Sequence, residues 1–117
     1  LLLYPVITFN EAFGHMGSRK NLIGEGNNWE LVKKYSNELH VSSETPPTFL
    51  VLADDDKAVV PRNSVEFYLA LKKNNVPAEM HIFSEGGHGF GMNKKNLPVD
   101  KWPELFYDWM KAQKIIK

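Results

Sequence analysis

The sequence predicts an α/β fold of about three parallel strands with flanking helices, and three observations point to it. Apolar or strand-forming runs occur at Leu1–Ile7, Thr48–Ala53 and Ala78–Phe83, the first two nearly continuous, as in strands covered on both faces. Segments with helical spacing alternate with these runs, which is the order that builds a parallel sheet. The second and third runs each end in a loop that carries reactive side chains, the position where parallel sheets gather their chemistry. At 117 residues the chain suffices for one domain with a core and is too short for two.

Leu1–Ile7 reads as a buried strand in which Pro5 marks an edge or a bend. Polar residues and glycines dominate from Thr8 to Gly26, so a long loop is expected there, the first part of a loop or cap-like segment spanning about residues 8–47. Asn28 caps a short helix starting at Trp29, with Leu31, Val32, Tyr35 and Leu39 on the side expected to face the core. Pro46-Pro47 forces extension into the strand at Thr48–Ala53. A helix follows over Asn63 to about Lys73, with Phe67, Ala70 and Leu71 on one face and Ser64 a turn earlier. Pro77 leads into Ala78–Phe83, and a last helix starts near Asp100 with Pro103 in its first turn. It is expected to bury Trp102, Leu105, Phe106, Trp109 and Met110, while Lys111, Lys114 and Lys117 complement its dipole.

Composition removes several function classes. Lys+Arg and Asp+Glu number 14 each, so the formal net charge is zero and no basic face for nucleic acid or anionic lipid is advertised. There is no cysteine, hence no disulfide scaffold or thiolate metal site, and no compartment is identified by it. No apolar run approaches the roughly 20 residues of a membrane span. The opening run has no basic lead and no initiator methionine, and it is too short for a signal core, so the chain is expected to be a piece of a longer protein.

The chemistry centres on Ser84-Glu85-Gly86-Gly87-His88-Gly89-Phe90-Gly91, a histidine set among glycines on a tight loop. A neutral imidazole takes a proton from a nucleophile and returns it to a leaving group, provided a carboxylate holds its other nitrogen. Asp54-Asp55-Asp56 offers that carboxylate, in acid-before-histidine order. A metal site is not expected, since the three aspartates lack the alternate spacing of a calcium loop and no histidine pair has helical ligand spacing. His81 reads as a structural strand residue, and Trp29 as a substrate contact if it is not simply packed.

Several segments resemble one family: Leu3-Tyr4-Pro5-Val6, His15-Met16-Gly17-Ser18-Arg19, Asn21-Leu22-Ile23-Gly24, Thr45-Pro46-Pro47-Thr48-Phe49-Leu50, Asp55-Asp56-Lys57-Ala58-Val59 and Gly86-Gly87-His88-Gly89-Phe90-Gly91. Together they are similar to the C-terminal half of the acetyl-xylan-esterase-like, dienelactone-hydrolase-related α/β-hydrolases. The resemblance implies hydrolysis of short-chain carboxylic esters, often acetyl groups on plant polysaccharide. It implies no cofactor, makes His88 the catalytic base and, from the three-residue spacing to Val59, Asp56 the acid, with Asp55 next and Asp54 last. The family's Gly-x-Ser-x-Gly elbow does not occur, and Ser18 lacks the strand-turn-helix setting of a nucleophile. The nucleophile is therefore expected outside this chain, with a small-molecule or carbohydrate ester as substrate. The alternative is a non-catalytic remnant that binds carbohydrate or a protein. The apolar strand at Leu1–Ile7 is expected to self-associate or to pair with a missing N-terminal half.

Overall fold

In the computed structural model, which describes residues 1–117, Leu2–Leu3 (β1), Thr48–Ala53 (β2) and Ala78–Phe83 (β3) form one parallel sheet in the order β1-β2-β3. Leu2 pairs with Leu50, and β2 and β3 run in register from Thr48–Ala78 to Ala53–Phe83. All six residues of β2 are buried, and because successive side chains alternate, the strand supplies two cores. Phe49, Val51 and Ala53 face one layer, where Trp102 and Trp109 of the last helix pack with Phe90 and Val99. Leu50 faces the other, against Phe67 and Leu71 with Ile7 and Val76. Each buried large apolar side chain contributes on the order of 2 kcal/mol through its removal from water.

The helix Arg62–Lys73, numbered α3 in chain order after the two shorter helices below, lies on the Leu50 side. It stops where the Asn74 side chain donates to Ala70 O and Asn75 takes a positive φ of 57°. The final helix, α4 (Trp102–Ala112), is preceded by a 3₁₀ turn at Pro98–Lys101, and Pro103 sits in its first turn. Trp102 and Trp109 are buried there, while Leu105, Phe106 and Met110 are partly buried against the same core.

Three expectations change in the structure. The strand expected over Leu1–Ile7 is only two residues long, because Tyr4 takes φ 38° and Pro5 has no N–H to continue a ladder. The Ile7 and Thr8 amides instead donate to Asn63 Oδ1, whose own amide group donates to Phe13 O and Val60 O. This 1 % exposed asparagine thus closes all four of its bonds and ties the chain after β1 to α3. The loop expected over Thr8–Gly26 contains a helix, Met16–Ile23 (α1), which has no apolar stripe and buries only Arg19. Its ends define it: His15 Nδ1 accepts from Ser18 N–H, and Gly24 turns away at φ 90°. The helix Trp29–Tyr35 (α2) is capped by Asn28 as expected, yet it buries only Val32, and Leu39 lies in the following 3₁₀ turn with 60 % of its surface exposed.

The layers are thin. The molecule measures 45 × 34 × 18 Å with a radius of gyration of 15.0 Å, above the roughly 13 Å usual for a domain of this length. No helix is long and apolar enough to cross a membrane.

Candidate active site

The register of β2 and β3 sets the site. Both strands end at the paired residues Ala53 and Phe83, and the Asp54 amide donates to Phe83 O at 2.7 Å, so two loops leave the same rim side by side. On the first loop, the chain turns back so that Asp56 Oδ1 accepts from the Ala58 and Val59 amides, each at 2.9 Å. On the second, Gly87 (φ 63°) and Gly89 (φ 77°) flank His88, a backbone path that side chains with a Cβ rarely follow. Gly86 has another reason to be glycine: a Cβ there would lie 3.1 Å from the Ala53 Cβ and 3.4 Å from Phe90 and Val99.

These turns bring His88 Nδ1 to 2.8 Å from Asp56 Oδ2. An ionised carboxylate only accepts, so Nδ1 carries the proton and donates it to Asp56, which leaves Nε2 with the lone pair. The Asp56 side chain has no exposed surface, and its three donors satisfy the charge that burial would otherwise penalise. The imidazole is 39 % exposed, and Nε2 has no hydrogen-bond partner within the chain. A buried acid below and an accessible basic nitrogen above is an arrangement able to relay a proton to and from a group outside these loops.

The neighbouring acids divide. Asp55 Oδ1 accepts from the Gly87 amide at 2.7 Å, so it holds the backbone of the histidine loop while Asp56 holds the ring. Asp54 is exposed and makes no side-chain bond to that loop. Nothing in the residue pattern marks the Asp55 latch, because three consecutive aspartates differ only in register. Nor does it mark Tyr4, whose ring makes a T-shaped contact with the His88 imidazole, with centroids 4.6 Å apart.

The remaining candidates lie elsewhere. Ser18 Oγ is 2.8 Å from His15 Nδ1, Ser36 Oγ accepts from the Phe9 amide, and no serine of the chain bonds to His88. His81 Nε2 contacts Glu79 Oε1 at 2.7 Å and its ring lies against Phe49 and Phe83, a structural role within β3. Trp29 heads α2 and is 52 % exposed. No group of three or more acidic or histidine side chains is placed to hold a metal ion.

An acetylxylan esterase of Xylanibacter ruminicola is 32 % identical over 116 residues, covering 96 % of this chain and 24 % of that protein. An endo-1,4-beta-xylanase B of Butyrivibrio fibrisolvens is 34 % identical over 89 residues, 76 % of this chain and 14 % of that one. The chain thus spans a quarter or less of these curated relatives. A solved structure, the acetyl ester-xyloside bifunctional hydrolase of Caldicellulosiruptor lactoaceticus, superposes with a TM-score of 0.94 at 44 % identity, over 99 % of this chain and 43 % of that one. The Prolyl oligopeptidase family model matches residues 4–114, nearly the whole length. A parallel sheet whose rim pairs an acid with a histidine, esterase relatives and a family match from Tyr4 to Lys114 lead to one conclusion: this chain belongs to the prolyl oligopeptidase family of α/β-hydrolases.

Proposed function

We propose that this chain supplies the base and the acid of a serine carboxylesterase, and that the serine belongs to polypeptide outside residues 1–117. The observation that carries this reading is the 2.8 Å bond from His88 Nδ1–H to a fully buried Asp56 carboxylate, with Nε2 accessible. In the complete site the serine hydroxyl gives its proton to His88 Nε2 as its oxygen attacks the ester carbonyl. The tetrahedral intermediate collapses, His88 returns the proton to the departing alcohol, and water repeats the sequence on the acyl-enzyme. Asp56 keeps the proton on Nδ1 and stabilises the imidazolium formed at each step. The acetyl ester and xylan names of the relatives support a carbohydrate-borne acetyl ester as the substrate class.

The edge of β1 gives the serine-bearing polypeptide a place to dock. Only β2 occupies one side of β1, Leu1 is exposed, and the 18 Å thickness leaves little buried interior. Backbone groups at such an edge take a further strand. Without that partner, the chain is expected to self-associate; a strictly monomeric species by light scattering at moderate concentration counts against the edge as the docking site.

The decisive experiment uses the longer polypeptide that contains this chain. It is expected to show a burst with an activated acetate ester and fluorophosphonate labelling at one serine outside residues 1–117, with turnover lost in His88→Gln. Labelling at a serine within residues 1–117 overturns the proposal. Labelling outside it with full turnover in His88→Gln removes His88 from the mechanism.

A further inference from the structure

His88 is held at its edge by Asp56, but a single hydrogen bond leaves a ring free to swing about the bond axis. Tyr4 addresses that freedom. It sits at the end of β1, two strands away from the histidine loop, with its amide donating to Val51 O at 2.7 Å. Its ring meets His88 at 4.6 Å between centroids and 61° between planes, and meets Phe90 at 4.8 Å and 81°. Phe90 is 1 % exposed and part of the core under α4, so the tyrosine is braced against a fixed group while it touches the imidazole. Ring pairs in this geometry attract through their quadrupoles.

The backbone at Tyr4 is strained as well. Its φ of 38° is in the left-handed region, uncommon for a bulky residue, and the following Pro5 further disfavours departures from extended backbone. Strained conformations persist where surrounding structure overrides them, and they concentrate at functional sites. Here the strained turn has an identifiable result, because it ends β1 and directs the ring over the loop after β3.

We propose that Tyr4 is a positioning residue for His88: its ring holds the imidazole in the orientation that keeps Nδ1 on Asp56 and presents Nε2 outward. The proposal rests on the reading of His88 as the base for its functional meaning, but not for its test.

The test is proton NMR of the longer polypeptide that contains this chain, following the His88 Nδ1–H resonance in wild type, Tyr4→Phe, Tyr4→Leu and Tyr4→Gly, with a thermal melt for each. Tyr4→Phe keeps the ring and is expected to keep the resonance. Tyr4→Gly suits φ 38° but has no ring, so it separates strain from ring contact; with Tyr4→Leu, it is expected to speed exchange of the Nδ1 proton roughly three- to tenfold. Unchanged exchange in a cooperatively folded Tyr4→Gly or Tyr4→Leu overturns the proposal. Should both variants fail to fold, the wild-type cross-peaks between the Tyr4 ring and the His88 carbon-bound protons decide it, their absence refuting the contact. In the longer polypeptide, Tyr4→Leu is expected to lower kcat by a similar factor at unchanged KM, with Tyr4→Phe restoring it. Loss of the Nδ1–H effect rejects the Tyr4 role alone, whereas full turnover in His88→Gln rejects the base assignment alone.

Discussion

Asp56→Asn probes the site most sharply, because it preserves shape while reversing one hydrogen bond. The asparagine carbonyl can take over Oδ1 and keep accepting from Ala58 and Val59, which directs the amide nitrogen at His88 Nδ1, now 2.8 Å from a donor. To accept that bond, Nδ1 must give up its proton, so the neutral imidazole carries hydrogen on Nε2 and no longer has a lone pair facing outward. In the serine esterase proposed above, the expected cost is about 10⁴ in kcat, or roughly 5.5 kcal/mol, the effect of the same wrong-tautomer change in serine proteases. Stability changes far less. Bonds to the Ala58 and Val59 amides weaken by about 1 kcal/mol each on loss of charge, while the desolvation cost of a carboxylate without exposed surface disappears. Folding is therefore expected within about 2 kcal/mol of wild type. Asp56→Ala contrasts with this, because it leaves two amides without an acceptor at about 1–3 kcal/mol each. Nitrogen NMR of the ring reports the tautomer, denaturant unfolding reports the stability, and burst kinetics report the chemistry. An Asp56→Asn ring that retains its proton on Nδ1, or turnover within tenfold of wild type, refutes the reasoning.

Three further outcomes follow from the packing. Gly86→Ala is expected to destabilise the chain by about 1–3 kcal/mol in urea unfolding, because the new Cβ meets Ala53, Phe90 and Val99, all of them buried and unable to retreat. Asn63→Ala removes an acceptor from the Ile7 and Thr8 amides and a donor from Phe13 O and Val60 O, so a loss of about 3–5 kcal/mol is expected in the same assay. Asp100 accepts from the Lys95 and Asn96 amides, and the Lys95 bond above all holds its carboxyl below the ordinary value of 3.8 against an opposing desolvation. A depressed folded-state value means that its support for the Lys95–Asp100 turn is full above the ordinary carboxylate value and is lost as pH falls through the lowered one. The Asn96 amide shift, followed against pH, is expected to titrate with a midpoint below 3.8 in wild type and to lose that step in Asp100→Asn.

Strands and helices around the site were legible where apolar pattern dictates structure. Thr48–Ala53 announces itself because six buried residues leave no ambiguity, and α4 does so through its tryptophans. The elements that escaped are those made by single contacts: α1 rests on a His15 cap without an apolar stripe, and β1 stops because Tyr4 turns and Asn63 collects the next amides. Leu39 was expected inside and lies outside, since α2 ends at Tyr35 and the periodicity expected to bury it ends there too. At the site, the His88 loop could be read from its glycines, and Asp56 came from resemblance rather than from geometry. Asp55 and Tyr4 could not be read at all, because their contacts join residues 32 and 84 positions away, 55 to 87 and 4 to 88.

Those long-range contacts also bear on how the proposed enzyme is assembled. Residues 1–117 already hold His88 from several sides: Asp56 on the ring nitrogen, Asp55 on the Gly87 amide, Tyr4 against the ring, and the Ala58 and Val59 amides behind Asp56. Orienting a catalytic group in advance lowers the entropy and reorganisation that a reaction must otherwise meet at the barrier. On the proposed reading, the base is oriented before any serine arrives, and docking at β1 needs only to bring the hydroxyl within hydrogen-bond reach of Nε2. The precision of the site then depends on how rigidly β1 joins the two parts, which makes Tyr4, at the end of that strand and against the imidazole, the residue where docking and chemistry meet.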